Sequence, residues 1–255
     1  MNSLSPHAAA VTPTVSIVMP VRNEEGNVAL VVQEIVAALD GRWPFEIICV
    51  DDGSVDGTDA KLRELMQRYA NLRDIRQHPS GGKAAALRAG VRAARAPMIA
   101  ILDGDGQNDP AYLVPMLSAL LAGEGRVGLV AAQRLRRRDT LSKKLQSRIG
   151  NHVRRAILRD DTLDTNCGLK AFPRDLFLAL PFFDGLHRFL PALVHREGYE
   201  IAYVDVVDRP RHSGVSNYGL FDRLWVGIAD LMGVWWLIRR KQASPEVTEV
   251  KADGR

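Results

Sequence analysis

Cysteine is nearly absent from this sequence, with two in 255 residues. Cys49 sits in an apolar stretch and Cys167 in a polar one, without the spacing of a zinc site or a disulfide framework, so a reducing, cytosolic setting is expected. Apolar runs are short, and none reaches the roughly 20 residues that a helix needs to cross a bilayer. Residues Met1 to Pro13 have neither the basic start nor the apolar centre of a secretory leader and read as a disordered tail. Familiar phosphate cradles are missing as well. Gly82-Lys83 lacks both the earlier Gly and the following Ser/Thr of a P-loop, which leaves ATP-driven chemistry unsupported. Gly123-Glu-Gly-Arg-Val-Gly128 spells the dinucleotide fingerprint, but it follows a predicted helix and precedes a predicted strand, the reverse of the order that fingerprint requires.

The composition is that of an ordinary soluble protein, with 25% charged residues and a net charge of +4. Its length suits one large α/β domain. The positive charge is concentrated: from Arg134 to Arg159 there are ten Lys/Arg against Asp139 alone. Charge runs are commonly solvated helix faces, but a one-signed excess of this kind points to an anionic partner such as phosphate or lipid headgroups. Within that block the spacing predicts a helix from about Leu141 to Leu158.

Strand and helix signals alternate along the first hundred residues. Val15 to Pro20, Phe45 to Val50, Leu72 to Arg76 and Met98 to Leu102 read as strands, and helical stretches follow the first three. Asn23 is placed to cap the first helix, with Glu24 and Glu25 in its first turn. This alternation predicts an α/β fold with a mostly parallel sheet and helices on both faces. Val127 to Ala132 and Glu200 to Val207 add two strands, and a turn from Asp164 feeds another short strand up to Phe172.

The most pointed chemistry lies in Ile99-Ala-Ile-Leu-Asp-Gly-Asp-Gly-Gln-Asn-Asp-Pro110, where an apolar strand stops at alternating carboxylates. Asp103 and Asp105, one residue apart on a glycine-rich turn, can face one point. Such a pair repels itself unless a cation intervenes, and with Gln107 nearby it suits Mg²⁺ or Mn²⁺ on a diphosphate. An exposed acidic turn is the plainer reading, although the carboxyl ends of parallel strands are where open α/β sheets bind ligands. A helix-loop-helix calcium site is excluded, because Asn108 and Val114 stand where Gly and Glu are needed. A haloacid-dehalogenase-like phosphatase signature matches up to Gly106 and then meets Gln107 where Thr is required. For Asp51 and Asp52, capping of a turn and ligand binding both stay open on spacing alone.

Together these pieces resemble the family 2 glycosyltransferases of the GT-A fold, and within them the polyprenyl-phosphate branch typified by dolichyl-phosphate mannose synthases. The resemblance rests on Ile17-Val-Met-Pro-Val-Arg-Asn-Glu-Glu25, Val50-Asp-Asp-Gly-Ser-Val-Asp-Gly-Thr58, Gly82-Lys83 and Leu102-Asp-Gly-Asp-Gly-Gln-Asn-Asp-Pro110. Asp164-Thr-Asn-Cys-Gly-Leu-Lys-Ala-Phe172 and Arg209-Pro-Arg-His-Ser-Gly-Val-Ser-Asn-Tyr218 extend it toward the lipid-phosphate branch. It implies a metal-dependent, inverting hexosyltransferase that moves a mannose- or glucose-type sugar from a GDP- or UDP-sugar to a polyprenyl phosphate. A sugar-hydroxyl acceptor, a phosphatase of the haloacid-dehalogenase kind and a non-catalytic binding protein remain alternatives.

Position by position, the resemblance implies that Pro20, Arg22, Glu24, Asp51, Asp52, Lys83 and Asp103 bind the donor. Asp103, Asp105 and Gln107 hold Mg²⁺ or Mn²⁺, and Arg134, Lys144 and Arg148 hold the acceptor phosphate. The catalytic set is Asp103, Asp105 and Arg134. The expected organisation is a tail over 1–13, a GT-A domain over 14–218, an amphipathic helix over 219–241 and a polar tail over 242–255. That helix carries Trp235 and Trp236 ahead of Arg239-Arg-Lys241, which reads either as a membrane-interfacial segment or as a helix packed on the core. The expected location is peripheral, on the cytoplasmic face of a membrane, where a separate membrane protein is a further expected partner and nucleic acid is not.

Overall fold

The computed structural model describes residues 12–135, 154, 157, 158, 162, 164, 167–207, 209 and 220–241, with side chains in the last segment from 226 onward. Strand β1 (Val15–Val21) is the centre of the first half: it pairs in parallel with β2 (Phe45–Asp51) on one side and β4 (Met98–Ile101) on the other. β3 (Leu72–Arg76) extends the β2 edge, also in parallel. Beyond β4 lie β6 (Lys170–Pro173), β5 (Val127–Arg134) and β7 (Glu200–Val206), giving the order β3-β2-β1-β4-β6-β5-β7. β6 runs antiparallel to both neighbours, while β5 and β7 are parallel. β1 has no polar alternation because both its faces are covered: Ile17 and Met19 face one side and Val18 the other, all fully buried.

Two apolar layers enclose the sheet. On one face Ile17, Met19 and Ala100 meet α1 (Val28–Leu39), α2 (Thr58–Arg68) and α4 (Leu113–Ala122) through residues such as Val31, Ile35, Leu62 and Leu117. On the other, Val18, Ile48, Ile99 and Phe172 meet α3 (Gly82–Ala93), α5 (Arg174–Ala179) and α6 (Leu186–Arg196) through Leu87, Phe177 and Leu190. The mostly parallel sheet with helices on both faces is thus the architecture that the alternating sequence signals predict. α3 lies close against the sheet because it presents Gly90, where any side chain would run into Val18 and Val50.

The last helix, α7 (Leu220–Arg239), is neither wholly core nor wholly free. Leu231, Val234, Trp235, Leu237 and Ile238 pack on the second apolar layer, whereas Val226, Met232 and Trp236 are each half exposed or more. No described helix is long and apolar enough to cross a membrane.

One local expectation is corrected. α1 starts at Val28 with Asn27 in the capping position, not at Asn23. Asn23 takes a left-handed backbone, φ 56°, and its side-chain oxygen accepts from the Val55 amide while its own amide donates to Ser54 Oγ. Bonding between the two loops claims the side chain that the sequence offers to the helix. The helix predicted near 141–158 falls largely outside the described residues, although Arg154, Ile157 and Leu158 are helical. Residues 1–11 and 242–255 lie outside them as well.

At the amino edge of the sheet, away from the acidic loops, Glu46 is buried in a polar knot. Ser16 Oγ and the Arg95 amide donate to its Oε1 at 2.7 Å each, and Arg73 donates to Oε2 at 2.7 Å. Burial opposes its charge, but these donors prevail and hold the carboxyl below the ordinary glutamate value of 4.5. Glu46→Ala removes the carboxylate partner of Arg73, which keeps only the Ala93 carbonyl, and the acceptor of the buried Ser16 hydroxyl, so urea denaturation should show a loss of about 2–4 kcal/mol at pH 7. The lowered value means that this contribution is present above pH 4.5 and is lost as acid passes through the folded-state value, so the difference from wild type should shrink at low pH.

Candidate active site

The acidic loops collect at the carboxyl edge of the parallel strands because every one of those strands ends there. Asp52 N donates to Val21 O, Gln77 N to Asp51 O and Leu102 N to Val18 O, binding each loop to the neighbouring strand. The result is a cleft of about 240 Å³ lined by Pro20, Arg22, Glu24, Asp52, Lys83 and both acids, Asp103 and Asp105. Gly104, between the two acids, lies so close to β1 that a Cβ there would stand 2.7 Å from Val21 Cγ1.

Asp52 does not cap the helix that follows it in sequence. Its carboxylate accepts from the Gly81 and Gly82 amides at 2.7–3.2 Å and from Ser80 Oγ at 2.8 Å, so it fastens the start of α3. Arg22 donates to the same Ser80 hydroxyl at 3.2 Å. Fixing that turn sets Lys83, in the first turn of α3, over the acidic pair: its Nζ donates to Asp103 Oδ1 at 2.5 Å. Asp51 is not among the cleft-lining residues, and its Oδ1 accepts from the Ser54 amide to hold the turn after β2. Asp56 accepts from Thr58 N and Oγ1 at 3.0 and 2.5 Å, which holds the turn leading into α2. Asp51 and Asp56 thus hold the loop between β2 and α2, whereas Asp52 combines anchoring of the next loop with a place in the cleft.

Enclosure by protein works against a charge on Asp103, yet Lys83 first, and then Lys170 and His187, hold its carboxyl below the ordinary aspartate range. The other side of Asp103 is closed by Gly168, where any side chain would strike the carboxylate. Asp105 is buried and its Oδ1 accepts from the Gln107 amide at 3.1 Å. Gln107 reaches the acid through its backbone, and its carbonyl accepts from the Arg209 amide. Arg209 in turn bridges Glu34 and Asp109 at 2.7 and 2.6 Å, tying the acidic turn to α1.

For a divalent ion, Asp103 already shows its affinity for a cation in the Lys83 ammonium it binds. Two carboxylates of this kind form a hard oxygen donor set suited to Mg²⁺ or Mn²⁺. Among the described residues no group of three His, Cys, Asp or Glu could hold a metal unaided, so an ion on these two carboxylates would need further oxygens from a bound molecule or water.

Arg134, at the end of β5, reaches the same edge and forms a two-pronged pair with Asp164 through Nε and Nη2, the second at 2.9 Å. Lys144 and Arg148 lie outside the described residues. Three neighbours of the site carry no role in the sequence reading: Gly168 and Lys170, which fall in the Asp164–Phe172 stretch, and His187. Lys170 is 3% exposed, and burial pushes its ammonium down to about 8. A lysine directly before Ala-Phe in a predicted strand is the one signal that marked it.

Comparison with known proteins agrees with this arrangement. Residues 16–180 match the model of glycosyl transferase family 2. A dodecaprenyl-phosphate galacturonate synthase from Rhizobium johnstonii is 34% identical over 233 residues, covering 89% of this chain and 68% of that protein. An undecaprenyl-phosphate 4-deoxy-4-formamido-L-arabinose transferase from Pectobacterium carotovorum is 30% identical over 207 residues, covering 80% of this chain. The chain spans 62% of that relative's own length. Among solved structures, the glucosyl-3-phosphoglycerate synthase of Mycobacterium tuberculosis, in complex with Mn²⁺, UDP-glucose and phosphoglyceric acid, superposes with a TM-score of 0.67 at 23% identity over 91% of this chain and 81% of that one. A further structure of that enzyme holds Mg²⁺ and UDP. The family model and the relatives of 30% identity or more place the sequence, and so this chain belongs to glycosyl transferase family 2.

Proposed function

We propose that the chain is a metal-dependent, inverting glycosyltransferase that moves a sugar from a nucleotide-sugar to a polyprenyl phosphate at a membrane surface. The observation that carries this reading is the single cleft uniting Arg22, Asp52, Lys83, Asp103 and Asp105. The names of the Rhizobium and Pectobacterium relatives favour a polyprenyl phosphate as acceptor, and they widen the choice of sugar beyond the mannose or glucose type to galacturonate and 4-deoxy-4-formamido-L-arabinose. UDP in the mycobacterial structures favours uridine over guanosine as the donor's base. Membership of the family sets the phosphatase alternative aside. A separate membrane partner protein gains no support from these relatives.

In this reading an oxygen of the acceptor attacks the anomeric carbon of the donor as its bond to the nucleoside diphosphate breaks. A divalent ion held by Asp103 and Asp105 supplies neutralisation of charge on the departing diphosphate. Lys83, fixed by the Asp52-anchored turn, adds a second positive charge at the same place. Arg134 is stiffened by Asp164 and presents a planar donor to the acceptor's phosphate. A phosphate monoester is ionised near neutral pH and needs no general base to become a nucleophile.

The membrane surface would be met by the basic block and by the outward side of α7. Val226, Met232 and Trp236 supply exposed apolar area there, and Arg240 lies over the Trp236 ring. Cations near an anionic surface add roughly 1 kcal/mol each, so two signals are available together.

The reaction is tested by incubation with Mn²⁺, UDP-sugars and polyprenyl phosphate, followed by separation of lipid-linked sugar. Product should form only with all three present, and its absence with every UDP-sugar tried would reject the assignment. Asp105→Ala should abolish both turnover and metal-dependent UDP binding, and full activity in that variant would remove it from the metal site. Arg134→Ala should raise the acceptor's KM by about 10- to 100-fold, as expected for a charge-assisted contact worth roughly 1.5–3 kcal/mol, while the donor's KM stays within about twofold. Finally, the chain should co-sediment with anionic vesicles at low salt and less at high salt. Trp236→Ser should weaken this without loss of thermal stability, whereas Trp235→Ser, on the packed side, should lower the melting temperature.

A further inference from the structure

Behind the donor cleft lies a second, smaller cavity of about 80 Å³. Lys83 lines both spaces, so the two are neighbours across its side chain. Four basic side chains border the smaller one: Lys83, Lys170, His187 and Arg188. Gly168 forms its floor beside Asp103. Asp103 accepts from Lys83, and Arg188 donates through Nη2 to Asp230 at 2.9 Å. Lys170 Nζ donates to the Cys167 carbonyl.

The cavity has polar atoms still to be satisfied. His187 Nδ1 and Arg188 Nε are buried and find no hydrogen-bond partner among the described residues. Burial first, and then the charges of Lys83, Lys170 and Arg188, push His187 down to about 3. His187 lies in the first turn of α6, at the positive end of a helix dipole. A buried guanidinium nitrogen without an acceptor, in the lining that also holds the Lys170 ammonium, describes a site for a compact anion.

We propose that this cavity receives a carboxylate on the donor's sugar, so that the enzyme selects a nucleotide-linked uronic acid over the corresponding neutral hexose. The inference rests on the donor reading above and narrows it. Position favours the donor as the anion's source: the cavity adjoins the cleft through Lys83, and a sugar linked to a diphosphate at Asp103 and Asp105 would extend its far side past that lysine. The acceptor's phosphate is assigned to Arg134, which does not line the cavity. A carboxylate brings two acceptor oxygens to the unsatisfied Arg188 Nε and to the Lys170 ammonium. A neutral hydroxymethyl group offers these groups one oxygen and no charge.

The test is calorimetric binding to the full chain with Mn²⁺, using UDP, UDP-galactose and UDP-galacturonate, with acceptor KM values measured alongside. UDP-galacturonate should bind at least about 10-fold more tightly than UDP-galactose. Lys170→Met and His187→Leu should each cut that ratio several-fold, and two variants at separate positions guard against one failing to fold. Equal affinity of the wild type for both sugars, with UDP bound, would overturn the inference and leave the glycosyltransferase reading standing. No binding of UDP at all would overturn both. A ratio unchanged in the variants, with only the acceptor's KM raised, would give the cavity to the acceptor's phosphate or to free phosphate, and would equally overturn the inference.

Discussion

The carboxylate of Asp103 is the constraint around which this molecule is built. It stands at the end of a strand whose Ile99 to Leu102 are buried, close to Asp105, and a charge in such a place is costly unless compensated. Compensation comes from Lys83 at 2.5 Å and, after it, from the charge of Lys170. Each of these has its own structural requirement. Lys83 depends on the turn that Asp52 fastens, Lys170 on a short antiparallel strand inserted between two parallel ones, and the close approach of that region on the missing side chain of Gly168.

In the proposed reaction the same arrangement would serve a cation and an anion together. Asp103 and Asp105 would hold a divalent ion, and the Lys83 ammonium, now on Asp103, would remain beside the donor's phosphates. Asp52 shapes the cleft it lines, since its oxygens accept from Ser80, Gly81 and Gly82 and so fix the turn that carries Lys83. The apolar layers beneath, with Gly90 of α3 set tightly on Val18 and Val50, keep the lysine's helix from shifting.

Much of this was legible in the sequence because it is local. Apolar runs ending in Asp-rich or Gly-rich turns disclosed four parallel strands and a loop cluster at one edge, and Asp103 with Asp105 could be singled out on spacing. Partnerships across the chain were not legible. Asn23 has the chemistry of a helix cap, yet it binds Val55 and Ser54, more than thirty residues away, because the two loops lie side by side. Asp51 and Asp52 are adjacent in sequence and divide their work, one holding its own turn and the other the start of α3. Lys170 and His187 join the site only because β6 reverses direction, and no periodicity announces that reversal. Trp235 packs on the core while Trp236 stands 55% exposed, since neighbours on a helix point in different directions, and composition alone does not assign one to each side.

The central claim is that Asp103 and Asp105 receive a metal-bound nucleoside diphosphate in the cleft beside Lys83. A crystal structure of the full chain with UDP and Mn²⁺ tests this most directly. The account predicts Mn²⁺ on Asp103 and Asp105, the diphosphate on the ion, and Lys83 moved from Asp103 to a phosphate oxygen. A nucleotide bound elsewhere, or bound in the cleft with Lys83 still on Asp103 and no metal between the two acids, would contradict it.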